Sequence, residues 1–264
     1  RFRLTVTGRD AEGFSEMEVT MNSAPQLGRI FASPLSGSAV LDLFTIRAAG
    51  WQDEDEPLRY RFGTGEGTDY VLLSDFSPEA WTQATLPQGQ PTQDYERVLV
   101  AEVADTFDAV ASASTVVTVT AFTPSGDDRL QDTATELLGA GLASGDSAAV
   151  GQLVLGLSSA LNDDSDSVAD AADAAETRGI LLDALITASS SAPLTDAVVA
   201  RNTAIMAAVT AAPAQMTSEA TDRSATFVKQ LSSAGQELPS DAIDSLASTV
   251  SSLLSASSLQ FQEN

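Results

Sequence analysis

The hydrophobic period changes once along this chain, at Thr123-Pro124-Ser125-Gly126-Asp127. Before that point apolar residues alternate with polar ones, the period of a strand with one face on a core. After it they recur every three or four residues, the period of an amphipathic helix. A chain that switches in this way is expected to build a β part followed by an α part. Every aromatic residue except Phe227 and Phe261 precedes the switch, in keeping with the preference of large rings for strands. The expected fold is multidomain, all-β plus all-α: an immunoglobulin- or fibronectin-III-like β-sandwich followed by an α-helical bundle.

In the first part, Phe2, Leu4 and Val6 alternate with polar residues, Asp10-Ala11-Glu12-Gly13 has turn chemistry, and Met17, Val19 and Met21 alternate again, which describes a β-hairpin. The pattern returns about 97 residues later, with Val98, Val100 and Val103, a turn at Asp105-Thr106-Phe107-Asp108, then Val117, Val119 and Ala121. Tandem sandwiches of about 100 residues, each closing on an antiparallel pair, would give that spacing. Residues 1–22 are then the C-terminal hairpin of a preceding sandwich. Residues 23–122 form a complete one, with strands near Arg29–Phe31, Leu43–Arg47, Leu58–Phe62, Tyr70–Leu73, Val98–Val103 and Val116–Ala121.

Residues 123–127 read as a linker and 128–264 as a helical domain. Leu130, Ala134, Leu137 and Leu138 make a first stripe that Gly145 stops; Asp146 or Ser147 caps a second, carrying Val150, Leu153, Val154, Leu157 and Leu161. A third has Val168, Ala172, Ala175, Leu182 and Ile186, and a fourth, capped by Thr195, has Val198, Ile205, Met206 and Val209. The fifth begins near Thr217 and buries Phe227, Val228 and Leu231. The sixth follows Pro239, with Ser240 as cap and Ile243, Leu246, Val250, Leu253 and Leu254 on one face.

Histidine and cysteine are both absent, which removes Ser-His-Asp and Cys-His nucleophiles, thiol redox chemistry, and zinc or copper sites of imidazole and thiolate. No enzyme activity is expected. Paired carboxylates alone can hydrolyse glycosides, but Trp51, Trp81, Tyr60, Tyr70 and Tyr95 read as sandwich core rather than as a sugar platform. The net charge of −24 repels phosphate backbones and anionic headgroups, so neither nucleic acid nor membrane is an expected partner. No start methionine, signal segment or apolar run of about eighteen residues occurs, and the chain reads as a segment of something longer. Asn22, Asn162 and Asn202 lack the third-position hydroxyl of an N-glycosylation sequon, whereas Ser112–Thr115 and Ser189–Ser191 are candidate O-glycan segments.

The densest charge lies in Trp51-Gln52-Asp53-Glu54-Asp55-Glu56-Pro57. Two readings stay open: a solvated loop with Trp51 in the core, or a calcium site formed by Asp53, Glu54, Asp55 and Glu56, since alternating hard oxygens suit that ion. Calcium is the only cofactor that the sequence suggests. Asn162-Asp163-Asp164-Ser165-Asp166 with Asp170 and Asp173 lacks the glycine and distal glutamate of an EF-hand and reads as a solvated helix entry. Gly63-Thr64-Gly65-Glu66-Gly67 has no following Lys-Ser/Thr and reads as a strand connection, not a phosphate loop. Lys229, the only lysine, reads as the edge of a helix's polar face.

The string from Gly50 and Trp51 through Asp53, Asp55, Pro57 and Leu58 to Tyr60 and Phe62 resembles the signature of the receptor-for-egg-jelly (REJ) module. Ser33-Pro34-Leu35-Ser36-Gly37-Ser38-Ala39 and Phe44-Thr45-Ile46 are similar to the segment leading into it. Val209-Thr210-Ala211-Ala212-Pro213 and Leu238-Pro239-Ser240-Asp241-Ala242 resemble the Ala- and Leu-rich region that follows such modules, so the likeness covers most of residues 25–258. The cysteine often found before Gly-Trp is replaced here, since Ala48 and Ala49 stand in those places; the resemblance then implies a missing disulfide. Self-cleavage of the kind found in domains downstream of REJ modules needs a histidine, which this chain lacks. The resemblance implies a noncatalytic extracellular segment of a large cell-surface or filament protein, of mastigoneme-like kind, or else the ectodomain of a polycystin-like receptor or channel subunit. Its partners would be other domains of the same long chain, neighbouring subunits and O-glycans.

Overall fold

In the computed structural model, residues 1–9, 11–124, 129–163, 171–191, 193–234, 238 and 240–263 are described. Asp10, the linker residues 125–127, the acidic stretch 164–170 with Val168, and Pro239 lie outside the described residues.

Strands β1 (Phe2–Thr7) and β2 (Glu12–Met17) pair antiparallel, with Phe2 opposite Met17 and Val6 opposite Gly13. The return strand starts earlier than alternation at Met17, Val19 and Met21 suggests. The Gly8 N–H donates to the Ala11 carbonyl at 2.7 Å, so the chain reverses before Glu12, and Val19 and Met21 fall beyond the strand. Phe2, Leu4, Val6 and Met17 share one face. The other is mainly polar: Arg3 and Glu16 are cross-strand partners, and the Arg3 guanidinium sits 3.9 Å from the ring centroid of Phe14, an exposed apolar residue on that face. All the described hairpin residues are exposed, Leu4 at 69%.

Eight further strands follow: β3 (Arg29–Ser33), β4 (Ser36–Ser38), β5 (Leu43–Ala49), β6 (Arg59–Thr64), β7 (Val71–Leu72), β8 (Trp81–Thr85), β9 (Glu96–Ala104) and β10 (Val110–Thr120). They form a three-stranded antiparallel sheet, β3-β5-β8, and a five-stranded sheet, β4-β10-β9-β6-β7, in which only β4 is parallel to its neighbour. Alternate residues of each sheet, among them Ile30, Phe44, Ile46 and Ala84 from one and Phe62, Leu99, Ala101 and Val119 from the other, enter a single apolar core. Trp51 packs against that core and so closely on Gly28 that a Cβ there would overlap the indole. Trp81 is a correction: it is 52% exposed on the outer face, in a cross-strand row Phe31–Arg47–Trp81. The period-2 pattern puts Trp81 on the face opposite buried Ala84.

The α part comprises α1 (Leu130–Ser144), α2 (Ser147–Leu161), α3 (Ala171–Ser190), α4 (Asp196–Val209), α5 (Ser218–Ala234) and α6 (Ser240–Glu263). Local signals define the ends. Gly145 adopts φ +73 at the end of α1, a left-handed position that suits glycine. The Asp146 carboxylate accepts from the Ala148 and Ala149 amides, both at 3.0 Å, and Thr195 Oγ1 from Val198 N at 3.3 Å. Two faces differ from the expected stripes. In α3, Ala174, Leu181, Leu185 and Ala188 are buried while Ala172 is exposed. In α6, Ala242, Leu246, Thr249, Leu253 and Ala256 point inward, leaving Ile243, Val250 and Leu254 exposed.

Arg178 of α3 is fully buried, and among the described residues none of its hydrogen bonds goes to a carboxylate. Its guanidinium donates to Val209 O at 2.7 Å, Asn162 Oδ1 at 2.7 Å and Gln215 Oε1 at 2.8 Å, with Leu161 O at 3.4 Å. Leu161, Asn162 and Val209 lie at the C-terminal ends of α2 and α4, where the helix dipoles are negative, and Gln215 lies in the turn after α4. Burial lowers the Arg178 pKa to about 10, which leaves it protonated at neutral pH. The α part is joined directly to the β part: the Thr85 amide donates to Gln152 Oε1 at 3.3 Å and the Gln88 amide to Ser159 Oγ at 3.1 Å. Gly156 lies so close to Val40 that a Cβ would come within 2.9 Å of Val40 Cγ2.

Candidate functional site

The acidic segment 51–58 connects β5 to β6. Near its start Gln52 exchanges backbone hydrogen bonds with Gln26, both at 3.0 Å, and near its end the Glu56–Pro57 peptide is cis. Within it the Asp55 amide donates to Asp53 Oδ1 at 2.8 Å, an Asx turn that draws the two aspartates to the same side. Side chains then alternate, Asp53 and Asp55 half-buried and Glu54 and Glu56 exposed.

The half-buried pair meets a third carboxylate. Asp105, at the end of β9 and fully buried, places its carboxylate so that oxygens of Asp53, Asp55 and Asp105 all lie within 4.8 Å of one another. The two turns are tied by their backbones as well, since the Thr106 amide donates to the Asp55 carbonyl at 3.2 Å. Asp105 also accepts from the Phe107 and Ala109 amides at 2.8 and 2.9 Å and from Asn22 Nδ2 at 2.6 Å. Burial by itself would push the Asp105 carboxyl up; the Asn22, Ala109 and Phe107 hydrogen bonds, with Arg59 nearby, outweigh it and hold the group below the usual carboxylate range. Arg59 itself pairs with Asp108 and gives a longer bond, 3.4 Å, to the Asp105 carbonyl.

The four residues picked from the sequence thus separate. Asp53 and Asp55 join the cluster, whereas Glu54 and Glu56 lie outside it; Glu56 acts instead on Tyr60, whose phenol is raised by burial and then by this nearby charge. Asp105 and Asn22 complete the site, and both come from segments far along the chain. A buried aspartate in the turn Asp105-Thr106-Phe107-Asp108 was the only sequence signal available for the former, and it reads equally as turn chemistry. Three carboxylates and an adjacent amide suit a hard divalent cation, which asks for six to eight oxygens and takes the rest from backbone and water.

The remaining candidates take structural roles. Asn162 ends α2 and accepts from Arg178, Asp163 accepts from Gln88 Nε2 at 2.8 Å, and Asp173 pairs with Arg129 at 2.5 Å. Gly65, at φ +90, turns the chain out of β6 toward β7, with the Asp69 backbone against it. Lys229 is exposed on α5, two residues from buried Phe227. No described helix is long and apolar enough to cross a membrane.

One architectural fact bears on descent. The acidic turn, the sheet strands that hold it, the exposed hairpin and the first two helices are one continuous stretch of sequence, and the REJ domain family model matches residues 1–155 of the 264, from β1 into α2. The signature string at Gly50–Phe62 lies in the first half of that match, where it builds the β5–β6 connection and the start of β6. The chain belongs to the REJ domain family.

Proposed function

We propose that this chain is a noncatalytic, extracellular structural and adhesion segment of a large multidomain cell-surface or filament protein, mastigoneme-like in role. Residues 1–22 would be the closing hairpin of a preceding sandwich, 23–122 an immunoglobulin- or fibronectin-III-like sandwich, 123–127 a linker and 128–264 a helical bundle. The observation that carries this reading is the uncovered face of β1–β2: Phe2, Leu4, Val6 and Met17 are 62–69% exposed on a two-stranded ribbon that is marginal alone. The outer stripe Ile243, Val250 and Leu254 of α6 supports it, as a second apolar surface awaiting a neighbour. Hydrogen exchange tests it. In a polypeptide extended by its natural N-terminal neighbour, β1 and β2 amides should gain at least a hundredfold protection; unchanged exchange would refute the tandem architecture.

Membership of the REJ domain family favours a second reading, a polycystin-like ectodomain that relays ligand or force. Membrane spans downstream in the full-length gene would decide for it, and their absence for the fibre. On either reading the cluster of Asp53, Asp55 and Asp105 would take calcium and, through Asn22, fix the hairpin to the sandwich. At a hundredfold excess of calcium over Kd the folded state gains about 2.7 kcal/mol, so the melting temperature should rise in millimolar calcium and the rise should vanish in Asp55→Asn. A melting curve that ignores calcium removes this assignment.

A further inference from the structure

Every large apolar side chain that is exposed in the described α part belongs to one helix: Ile243, Val250, Leu254, Leu259 and Phe261 of α6. Four of the five share a line. Ile243, Val250, Leu254 and Phe261, with exposed Ala247 and Ser257 between them, are spaced 4, 3, 4, 3 and 4 residues apart, the a/d spacing with which one helix seats on another. The inward set, Ala242, Leu246, Thr249, Leu253 and Ala256, has the same steps, on the side where α6 packs against α4 and α5. α6 thus carries two seams, one filled within the chain and one presented to solvent.

Charge and size restrict what can cover the outer seam. A chain of net charge −24 repels its own copies, yet residues 245–262 contain no charged residue, so two copies approach with little local repulsion along this strip. From Ile243 to Phe261 the seam is about 27 Å long at 1.5 Å per residue. Two such faces bury on the order of 1,200 Å² together, the lower end for a specific interface. The seam also reads alike in both directions about Ser252: an antiparallel two-fold sets Ile243 against Phe261, Val250 against Leu254 and Ala247 against Ser257 of a second copy. Antiparallel pairing opposes the helix dipoles and separates the two Asp244 carboxylates, which a parallel pair would bring level.

We propose that α6 is a self-association helix, through which two copies of this chain pair antiparallel along Ile243, Val250, Leu254 and Phe261. This pairing rests on the structural reading above only in the premise that α6 meets a neighbour, and failure of the hairpin exchange test would leave it standing. Sedimentation equilibrium of the 264-residue chain is run in about 0.15 M NaCl, where the Debye length is about 8 Å. Taken to about 100 μM, well above the micromolar strength expected of so small an interface, the mass should rise from 27.3 kDa toward twice that value. Leu254→Glu, at a position 68% exposed, should weaken the dimer at least tenfold. Ser248→Glu adds the same charge to an exposed position off the seam and should change it less than threefold. Phe261→Glu, near the helix end, replaces Leu254→Glu if circular dichroism shows that variant to have lost helix. The chain has no cysteine, so disulfide trapping reads the orientation: Ala247→Cys mixed with Ser257→Cys should form the mixed disulfide faster than either variant bonds to itself. A single-chain mass at every concentration, an undiminished dimer in the seam variant, equal weakening by Ser248→Glu, or faster trapping of Ala247→Cys with itself would each overturn the proposal.

Discussion

Two hairpins in this molecule have the same local pattern and opposite fates. β9–β10 lies in the middle of the five-stranded sheet, with Leu99, Ala101, Val103, Val117 and Val119 at or near zero exposure; β1–β2 has the same alternation and no buried residue. Alternation selects which face of a ribbon is apolar, but only a neighbouring sheet turns that face into a core. In β9–β10 the neighbours are β4 and β6 and the facing sheet; for β1–β2 none is present among the described residues. The lesson is that a strand's sequence carries a demand for a partner, and the demand is legible even where the partner is not.

The sharpest way to break this comparison is a matched pair of truncations. Leu99→Ala should cost about 2–5 kcal/mol in urea unfolding, the cost of a core cavity, whereas Leu4→Ala should cost less than about 0.5 kcal/mol. Similar costs would mean that the hairpin is covered in solution. A smaller effect concerns the turn of β9–β10. The Asp105 carboxyl is held below its ordinary value in the folded protein, so its ionised form contributes stability above about pH 4, where the unfolded chain also ionises, and this is lost as the pH falls through the lowered native value. Unfolding midpoints measured between pH 5 and pH 2 should therefore drop more steeply for the natural protein than for Asp105→Asn. The smallest effect belongs to the polar face of β1–β2, where Arg1 and Arg3 meet Glu16 in solvent. Glu16→Gln should shift stability by less than about 0.5 kcal/mol, and high salt should erase even that.

The order of elements was readable from period and punctuation because both are local. Gly145, Asp146 and Thr195 sit where the sequence places helix ends, since a cap acts within one turn. What local pattern could not assign was which of two apolar stripes faces inward. In α6 small residues decide: Ala242, Thr249 and Ala256 are buried because they let the helix come close, and larger Ile243 and Leu254 turn outward. Strands β4 and β8 escaped for a related reason, since Ser36-Gly37-Ser38 has no apolar residue and Trp81–Thr85 contributes only Ala84 to the core. The candidate site was half legible. The segment 53–56 reveals its own acids, but not that alternate ones diverge, and Asp105 reaches Asp53 only because β6 and β9 are hydrogen-bonded neighbours, a fact of pairing that no spacing records.

Arg178 has a consequence for how the α part would bear load. One planar fork grips the closing ends of two helices and the turn after them, so those three points share a single fastening rather than sliding independently. Tension applied along the molecule would meet a stiff knot there that gives way all at once, instead of a spring that lengthens by degrees.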